Sequence, residues 1–462
     1  MLRYFRINDP YRLITILLLL ALASLPVLID LPAPTTQELK DLVLGERVGN
    51  KIMYVDIIDR TPPLLAVIDG FMNFFLGRSI LARHILALII LFFQASYFAI
   101  LLINNKAYAE NTYVPSLLFA FLSLFSFDLI ALTPELMAST LLLLALNNIF
   151  KEIEFRIDRD SVVLNLGIFL GLASLIIFSY TIFLIGTILV LIVYAGTTPR
   201  KILLLLMGYG LPHGIVLTLY YFYGHSHDLL TNFYGANLTQ GSVNLMSFKS
   251  LMYLGAVPAV YFVISLFMLT REARFTRYQS QIFQVLFLWL FLAMIELVVT
   301  PKVTPHSLMT FLPPIAYLIS HYLLLIRRKW IAEFMLWMFI SGILVVQLGS
   351  RQNWITNVDY RALFPQASRY EEIKDKRVMI IGEDWAIYKS NSLGGSFLDW
   401  ELSRSYFEQP EYYENLVKIN DAFVEDPPEV IIDELNLVDP VLSRIPAVKS
   451  RYSRSGVFYF RN

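Results

Sequence analysis

The sequence predicts an all-α polytopic membrane protein with a small C-terminal α/β domain outside the membrane. Of its 462 residues, 56% are hydrophobic and 16% are charged, whereas a soluble domain usually carries about 25% charged residues. Apolar runs of about 20 residues recur as far as Gly349, and each is long enough to span a hydrocarbon core of about 30 Å. After Gly349 the charged residues become frequent and the long apolar runs stop.

Composition excludes several other classes of protein. The apolar runs do not alternate with polar residues, as the strands of a membrane β-barrel would. The net charge is zero, so nothing indicates a nucleic-acid partner. The chain has no cysteine, which excludes disulfides and thiolate metal sites. The first apolar run lacks a small-residue cleavage site and is interpreted as a retained membrane anchor.

About eleven transmembrane helices are predicted from the apolar runs. The first covers residues 13–31 and follows a short basic lead. The others are centred near Leu88, Leu118, Leu142, Ile168, Ile188, Leu217, Val263, Phe287, Ala316 and Phe339.

The distribution of basic residues between loops predicts the orientation in the membrane, because cytoplasmic loops are rich in lysine and arginine. Alternate connections hold clusters of such residues: Lys106; Lys151, Arg156 and Arg159; Arg200 and Lys201; Arg271, Arg274 and Arg277; and Arg327, Arg328 and Lys329. The N-terminus is therefore predicted to lie in the cytoplasm. The loop 33–80, the segments 224–252 and 300–307 and the tail are predicted to be external, and the membrane to be a bacterial inner membrane.

The tail is predicted to form its own domain. We divide the chain into a transmembrane domain, residues 1–349, and an extracytoplasmic α/β domain, residues 350–462. Within the tail, residues 377–382 and 429–435 are typical of buried strands. A helix is predicted to begin at Pro410.

The loop 33–80 is the longest polar stretch between two predicted spans, and it is rich in acidic residues. Leu39, Leu42 and Val43 recur near helical spacing, and residues 64–75 are apolar. We expect one or two short amphipathic helices, of the kind that lie in a membrane interface.

Four local patterns along the chain carry a resemblance to a known family. They are Gln37-Glu38 at the entrance of the loop; Tyr54, Asp56 and Pro62-Pro63-Leu64; Gly77 and Arg83; and Lys302, His306 and Pro313-Pro314. Their order and spacing are similar to those of the GT-C superfamily of membrane glycosyltransferases, in the branch of the aminoarabinose transferases and protein mannosyltransferases. The whole chain also resembles proteins of Bacteroidetes-type bacteria.

The resemblance implies a polyprenyl-phosphate-sugar-dependent glycosyltransferase that acts on the extracytoplasmic side of the membrane. Its partners would be a polyprenyl-phosphate-linked sugar donor, the membrane lipid and an envelope lipid, glycan or protein acceptor. The loop 33–80 would be catalytic and the transfer inverting. One departure stands out: Gln37 occupies the position where that branch usually has aspartate.

Glu38 is the candidate general base, since inverting transfer needs a carboxylate to accept the proton of the acceptor. The alternative is a structural role, because Thr35 and Glu38 also fit a helix capping box.

Four further acidic residues are candidates. Asp56 and Asp59 could orient sugar hydroxyls or a divalent cation, the one cofactor considered; the alternative is loop solvation and helix capping. Asp128 and Glu135 flank a predicted external boundary, where the resemblance implies a second acid. For these two the alternative is capping of the following helix, which begins at Pro134.

Three basic residues are candidates for binding the lipid phosphate, because cations stabilise the charge of a departing phosphate. Lys302 and His306 share a short external loop, and Arg83 lies at the external mouth of the second span. The alternative for Lys302 is interfacial snorkelling. Glu296 lies inside an apolar run, where an ion pair with Lys302 is the simplest interpretation.

Two other classes of function stay open. The departure at Gln37 suits a catalytically inactive GT-C-like scaffold of an envelope assembly. A transporter would show matched Gly/Pro interruptions in two halves of the chain, which the sequence lacks. A polysaccharide polymerase or ligase would be a related enzyme.

Overall fold

The computed structural model describes residues 1–155, 160–194, 196, 198–241, 243–272, 275–370, 372–382 and 384–462. Arg156, Arg159 and Arg274, on which part of the orientation prediction rests, lie outside the described residues.

Helices dominate the chain. In order they are α1 Leu2–Phe5, α2 Arg12–Ile29, α3 Thr36–Val48, α4 Pro63–Leu76, α5 Ile80–Asn104, α6 Val114–Leu122, α7 Pro134–Phe155, α8 Asp160–Ser174, α9 Ile182–Tyr194, α10 Pro199–Phe222, α11 Ser226–Leu229, α12 Ala236–Thr239, α13 Phe248–Leu254, α14 Ala256–Glu272, α15 Arg277–Val299, α16 Leu312–Leu325, α17 Lys329–Arg351, α18 Trp400–Glu408, α19 Tyr413–Glu425, α20 Val438–Arg444 and α21 Pro446–Lys449.

Strands and tighter helices complete the described structure. The strands are β1 Val243–Asn244, β2 Lys302–Val303, β3 Arg377–Ile381, β4 Ser392–Leu393, β5 Val430–Asp433, β6 Tyr452–Ser455 and β7 Phe458–Arg461. Short 3-10 helices cover Phe127–Ile130, Phe178–Thr181, Pro305–Phe311 and Trp385–Lys389, and a π-helix covers Leu230–Gly235.

The protein is a multi-pass membrane protein by the length and composition of its helices. Within the described residues, seven helices are long and apolar enough to cross a membrane: α2, α5, α7, α10, α15, the segment Pro305–Leu325 and α17. An eighth span results if α13 and α14, which meet at 68°, count as one broken span.

The predicted count of about eleven spans is therefore not confirmed. Each predicted centre does lie in a helix, but α6, α8 and α9 are shorter than a regular span. Sequence hydropathy detects apolar helix of any length, whereas a straight crossing needs about 20 residues.

The described residues form two compact units. The first consists of residues 1–32, 79–215 and 241–360, and it contains most of the long apolar helices. In it α8 and α10 approach each other through glycine: a Cβ added at Gly167 would lie 2.3 Å from the carbonyl oxygen of Leu205. Small residues permit such close packing of membrane helices.

The second unit consists of residues 33–78, 216–240 and 361–462. Its five-stranded sheet has the order β4-β3-β5-β7-β6. β3 is parallel to β4 and β5, while β7 is antiparallel to β5 and β6. The predicted strands at 377–382 and 429–435 are confirmed as β3 and β5, and the helix predicted to begin at Pro410 is α19.

The loop 33–80 contributes α3 and α4 to this unit, which confirms the two short helices expected there. The two helices approach each other so closely at Gly45 that a side chain there would clash with the carbonyl of Asp69. The loop also enters the core of the sheet domain: Ile58 is buried against Met379 and Phe397. Its backbone N–H donates to the carbonyl of Ser396 over 2.7 Å. The predicted division at residue 349 separates this loop from the tail, whereas the structure groups them in one unit.

Candidate functional site

Glu38 lies at the start of α3 in a complete capping box. Its Oε2 accepts hydrogen bonds from the backbone N–H of Thr35 over 2.8 Å and from the Thr35 hydroxyl over 3.0 Å. The hydroxyl oxygen of Thr35 accepts in turn from the backbone N–H of Glu38 over 3.2 Å. The structural alternative considered for Glu38 is thus realised, and the carboxylate is held in one orientation.

Asp59 is fully buried in an ion pair. Lys40 on α3 places its ammonium group 2.7 Å from Asp59 Oδ1, and the hydroxyl of Thr61 donates to Oδ2 over 2.5 Å. Burial alone would lower the pKa of Lys40, but the carboxylates of Asp59 and Asp399 raise that pKa above its usual value. The charge of Asp59 is therefore neutralised inside the fold.

A second buried pair ties the loop to the tail within the same unit. The guanidinium of Arg60 donates to both carboxylate oxygens of Asp399, over 2.6 and 3.1 Å, in the bidentate geometry that makes such pairs strong. Burial alone would raise the pKa of Asp399, but the charges of Lys40 and Arg60 hold it below its usual value. Asp56 is less buried, and its carboxylate accepts from the backbone N–H of Ile52 over 2.8 Å.

Tyr54 has a strained backbone that no local sequence pattern predicts. Its φ is +69°, a conformation that is costly for a residue with a bulky side chain. The side chain is fully buried, and its hydroxyl donates to the carbonyl of Thr61 over 2.6 Å. The Asn232 amide donates to the Tyr54 carbonyl over 3.0 Å. These two bonds fix the turn that leads from α3 to Asp56.

In the first unit the structure brings Asp128 and His306 together. Asp128 lies in the 3-10 helix Phe127–Ile130 and is 3% exposed. Its Oδ2 lies 3.3 Å from His306 Nε2. The other ring nitrogen of His306 lies 3.3 Å from the hydroxyl of Thr133, just before α7. Two residues that are far apart in the sequence thus share one buried cluster.

The cluster continues through hydroxyl groups. Ser126 hydrogen-bonds Oδ1 of Asp128 and lies 2.7 Å from the hydroxyl of Tyr360. Tyr360 in turn donates to Ser350 over 3.3 Å. Burial and the charge of Asp128 raise the pKa of Tyr360, so this phenol stays protonated. Sequence reasoning missed Ser126 and Tyr360, because neither belongs to a local pattern.

A further group of polar residues surrounds Glu296 near the end of α15. Glu296 is 1% exposed, and the hydroxyl of Ser179 donates to its Oε1 over 3.0 Å. Thr300 lies beside it, and the half-buried Glu135 lies within electrostatic range. Within the part of the chain that the structure describes, Lys302 is not among the partners of Glu296. The simple ion pair expected from the sequence does not form.

The basic candidates have different environments. Arg83 is buried in α5, and it has interactions of its own. Lys302 is exposed in β2, the two-residue strand that pairs with β1. Glu135, Asp128, His306, Lys302 and Arg83 all belong to the first unit, whereas Glu38, Asp56 and Asp59 belong to the second.

We next consider whether histidine and carboxylate side chains cluster closely enough to bind a metal ion. Among the described residues, no three His, Asp or Glu side chains form a group that could hold one. His225 lies 3.3 Å from Asp228, but Lys418 also pairs with Asp228 over 3.1 Å.

The long apolar helices, the helical loop 33–78 and the small sheet domain together define the fold of a multi-pass membrane protein. The whole structure resembles the aminoarabinose transferase ArnT from Cupriavidus metallidurans bound to undecaprenyl phosphate. The TM-score is 0.57 at 12% identity, over 96% of this chain and 97% of that chain. ArnT in its apo state gives a TM-score of 0.56 at 13% identity over 94% of each chain.

The oligosaccharyltransferase AglB from Archaeoglobus fulgidus, in complex with an inhibitory peptide and a dolichol-phosphate, is less similar. Its TM-score is 0.47 at 10% identity, over 98% of this chain and 74% of that chain. No protein-family model and no curated protein matches the sequence. The two comparisons with ArnT show that the chain shares the fold of that protein.

Proposed function

We propose that this protein is a glycosyltransferase that uses a polyprenyl-phosphate-linked sugar and acts on the extracytoplasmic face of a bacterial inner membrane. The observation that carries the proposal is the fold. It matches ArnT, solved with undecaprenyl phosphate bound, over 96% of this chain and 97% of that chain. A match of this extent includes the loop 33–78 and the tail as well as the membrane helices.

The chemistry divides between binding of the lipid phosphate and activation of the acceptor. Lys302, His306 and Arg83 are proposed to hold the phosphate, because positive charge stabilises the leaving group. Asp128 keeps His306 oriented through the 3.3 Å contact described above. A carboxylate must accept the proton of the acceptor hydroxyl or amine as the bond to the sugar C1 forms.

Glu38 is proposed as this base, with Asp56 and Glu135 as the other candidates. Thr35 binds Oε2 of Glu38 through two hydrogen bonds, which hold the carboxylate in one orientation. Inverting transfer would then proceed in one step: the acceptor attacks C1, the bond to the phosphate breaks, and Glu38 takes the proton.

A scaffold without activity is the second candidate function. It is favoured by the same capping box and by the buried pair of Asp59 with Lys40, since these acids have structural partners. A protein that keeps this fold but has no transferase activity could also have Gln37 at the loop entrance.

The test is sugar transfer by purified protein in nanodiscs, with a panel of undecaprenyl-phosphate-linked sugars. Glu38→Gln should lower the rate about 10²–10⁴-fold, and the exposed Glu408→Gln on α18 should leave it unchanged. Lys302→Ala should raise KM for the donor because it removes a charged phosphate contact. EDTA in a parallel assay tests the divalent cation. Wild-type protein that transfers no sugar from any donor would favour the scaffold.

A further inference from the structure

In the first unit, two of the buried side-chain atoms without a hydrogen-bond partner among the described residues have opposite hydrogen-bonding character. Glu296 Oε2, on α15, is an acceptor, and the Tyr180 hydroxyl, in the 3-10 helix Phe178–Thr181, is a donor. Both residues are 1% exposed. Buried side-chain polar atoms are nearly always paired in native proteins, so two unpaired groups in one region indicate that something else satisfies them.

The two groups belong to one local cluster. Tyr180 lies within electrostatic range of Glu296 and of Glu135. Ser179, the residue before Tyr180, donates to the other oxygen of Glu296 over 3.0 Å. One bond therefore fixes the carboxylate by its Oε1 and leaves Oε2 available, while Tyr180 is fixed by the edge-to-face contact of its ring with Phe183.

The residues of this cluster differ in their exposure. Ser179 and Glu135 are half-buried, whereas Glu296 and Tyr180 are buried. A carboxylate near the end of an apolar helix is costly unless it is paired or functional, and the ion pair with Lys302 that would neutralise it does not form.

A hydroxyl group matches the hydrogen-bonding character of both atoms. It donates its proton to the carboxylate oxygen and accepts the phenol proton with its own lone pair. A cation would serve Oε2 but leave the phenol proton without an acceptor. A phosphate would accept from the phenol but repel the carboxylate.

We infer that Glu296 and Tyr180 form a subsite for a hydroxyl group of the sugar carried by the lipid-linked donor. This inference rests on the proposed function and adds two residues that bind the sugar rather than the phosphate. An ordered water molecule is the other ligand with the same hydrogen-bonding capacity, and the experiment distinguishes the two.

The test compares binding of two ligands to the same nanodisc-reconstituted variants by isothermal titration calorimetry. The probes are undecaprenyl phosphate, a phosphate monoester, and undecaprenyl-phosphate-glucose, a diester that adds the sugar and has one ionisable oxygen fewer. Glu296→Gln should weaken binding of the sugar-bearing lipid about 10- to 100-fold, because a hydrogen bond to a charged group is lost. Tyr180→Phe should weaken it about 3- to 10-fold. Neither change should alter the affinity for undecaprenyl phosphate.

Tyr317→Phe is the matched control. Tyr317 on α16 is also fully buried and also has an unpaired hydroxyl, but its ring lies among Tyr108 and His321. It should bind both lipids as the wild type does. If Glu296→Gln and Tyr180→Phe bind the sugar-bearing lipid normally, the cluster holds water and the subsite is wrong. If the wild type binds neither lipid, the proposed function itself fails.

Discussion

A buried acidic residue of the loop 33–78 and one of the first unit differ in whether a cation lies beside the carboxylate. In the loop, Glu38 caps α3, and the fully buried Asp59 pairs with the ammonium group of Lys40. In the first unit, Glu296 is almost as buried, and among the described residues it has a hydroxyl partner but no ion-pair partner. The charge of Asp59 is therefore balanced within the fold, whereas the carboxylate of Glu296 has hydroxyl groups around it.

A buried charged group with a partner and one without a partner affect stability differently. A paired charge is needed by the fold, and removing its partner leaves an uncompensated group in a low-dielectric interior. An unpaired group costs stability and is retained where it binds something. The two sets of residues should therefore respond in opposite ways to substitution.

The largest effect is expected for Lys40→Met. It leaves Asp59 buried without its cation, which typically costs about 3–5 kcal/mol. The measurement is native-state hydrogen exchange of the backbone amides of α3, which reports the free energy of local opening.

Lys51→Met is the control for that change. Lys51 lies in the same loop, but its partner Glu425 is exposed and 3.3 Å away, and such a pair contributes about 0–1 kcal/mol. Equal losses of stability for the two lysine variants would mean that the buried pair of Lys40 with Asp59 contributes no more than an exposed pair.

A smaller effect is expected for Thr35→Ala. Losing an N-cap hydroxyl typically costs about 1 kcal/mol, and the exchange of the first α3 amides should accelerate accordingly. Thr276→Ala, which removes the capping box of α15, is the comparison in the membrane unit. If Thr35→Ala lowers stability while sugar transfer continues, Glu38 does not need its cap in order to act. If Thr35→Ala has no effect on exchange at all, the capping box is not a stabilising feature.

The smallest effect on stability is expected for Tyr180→Phe. Removing a hydroxyl that has no partner eliminates an unsatisfied buried group, so the free energy of unfolding should change by less than about 1 kcal/mol or should rise. Thermal unfolding of the purified protein in detergent measures this. A loss of several kcal/mol would mean that the Tyr180 hydroxyl has a structural partner after all.

Local patterns predicted much of the fold. Alternation and apolar runs located β3 and β5, the Thr35–Glu38 spacing predicted the capping box, and the spacing of Leu39, Leu42 and Val43 predicted α3. Each of these depends on residues within a few positions of one another. No local pattern predicts the contact of Asp128 with His306, because the two residues lie far apart in the chain.

The remaining features depend on residues that are distant in the chain. Nothing around Ile58 predicts that it packs into the sheet domain, because Met379 and Phe397 lie more than 300 positions later. The pairing of Lys40 with Asp59 likewise depends on how the loop folds back. The number of spans is not confirmed, because hydropathy does not show where an apolar helix ends.

The second unit is assembled from three separate segments, and this has a consequence for biosynthesis. About 280 residues lie between Arg78 and Arg361, which at about 5–20 residues per second take roughly 15–60 s to synthesise. During that interval the tail residues that pack around Ile58 have not been synthesised, nor has Asp399, the partner of Arg60. Until the last fifth of the chain is synthesised, the nascent loop lacks its packing partners. It is then open to proteolysis and to insertion of its phenylalanines at the wrong depth in the membrane. A nonsense mutation late in the gene would therefore damage a loop that was made near the beginning.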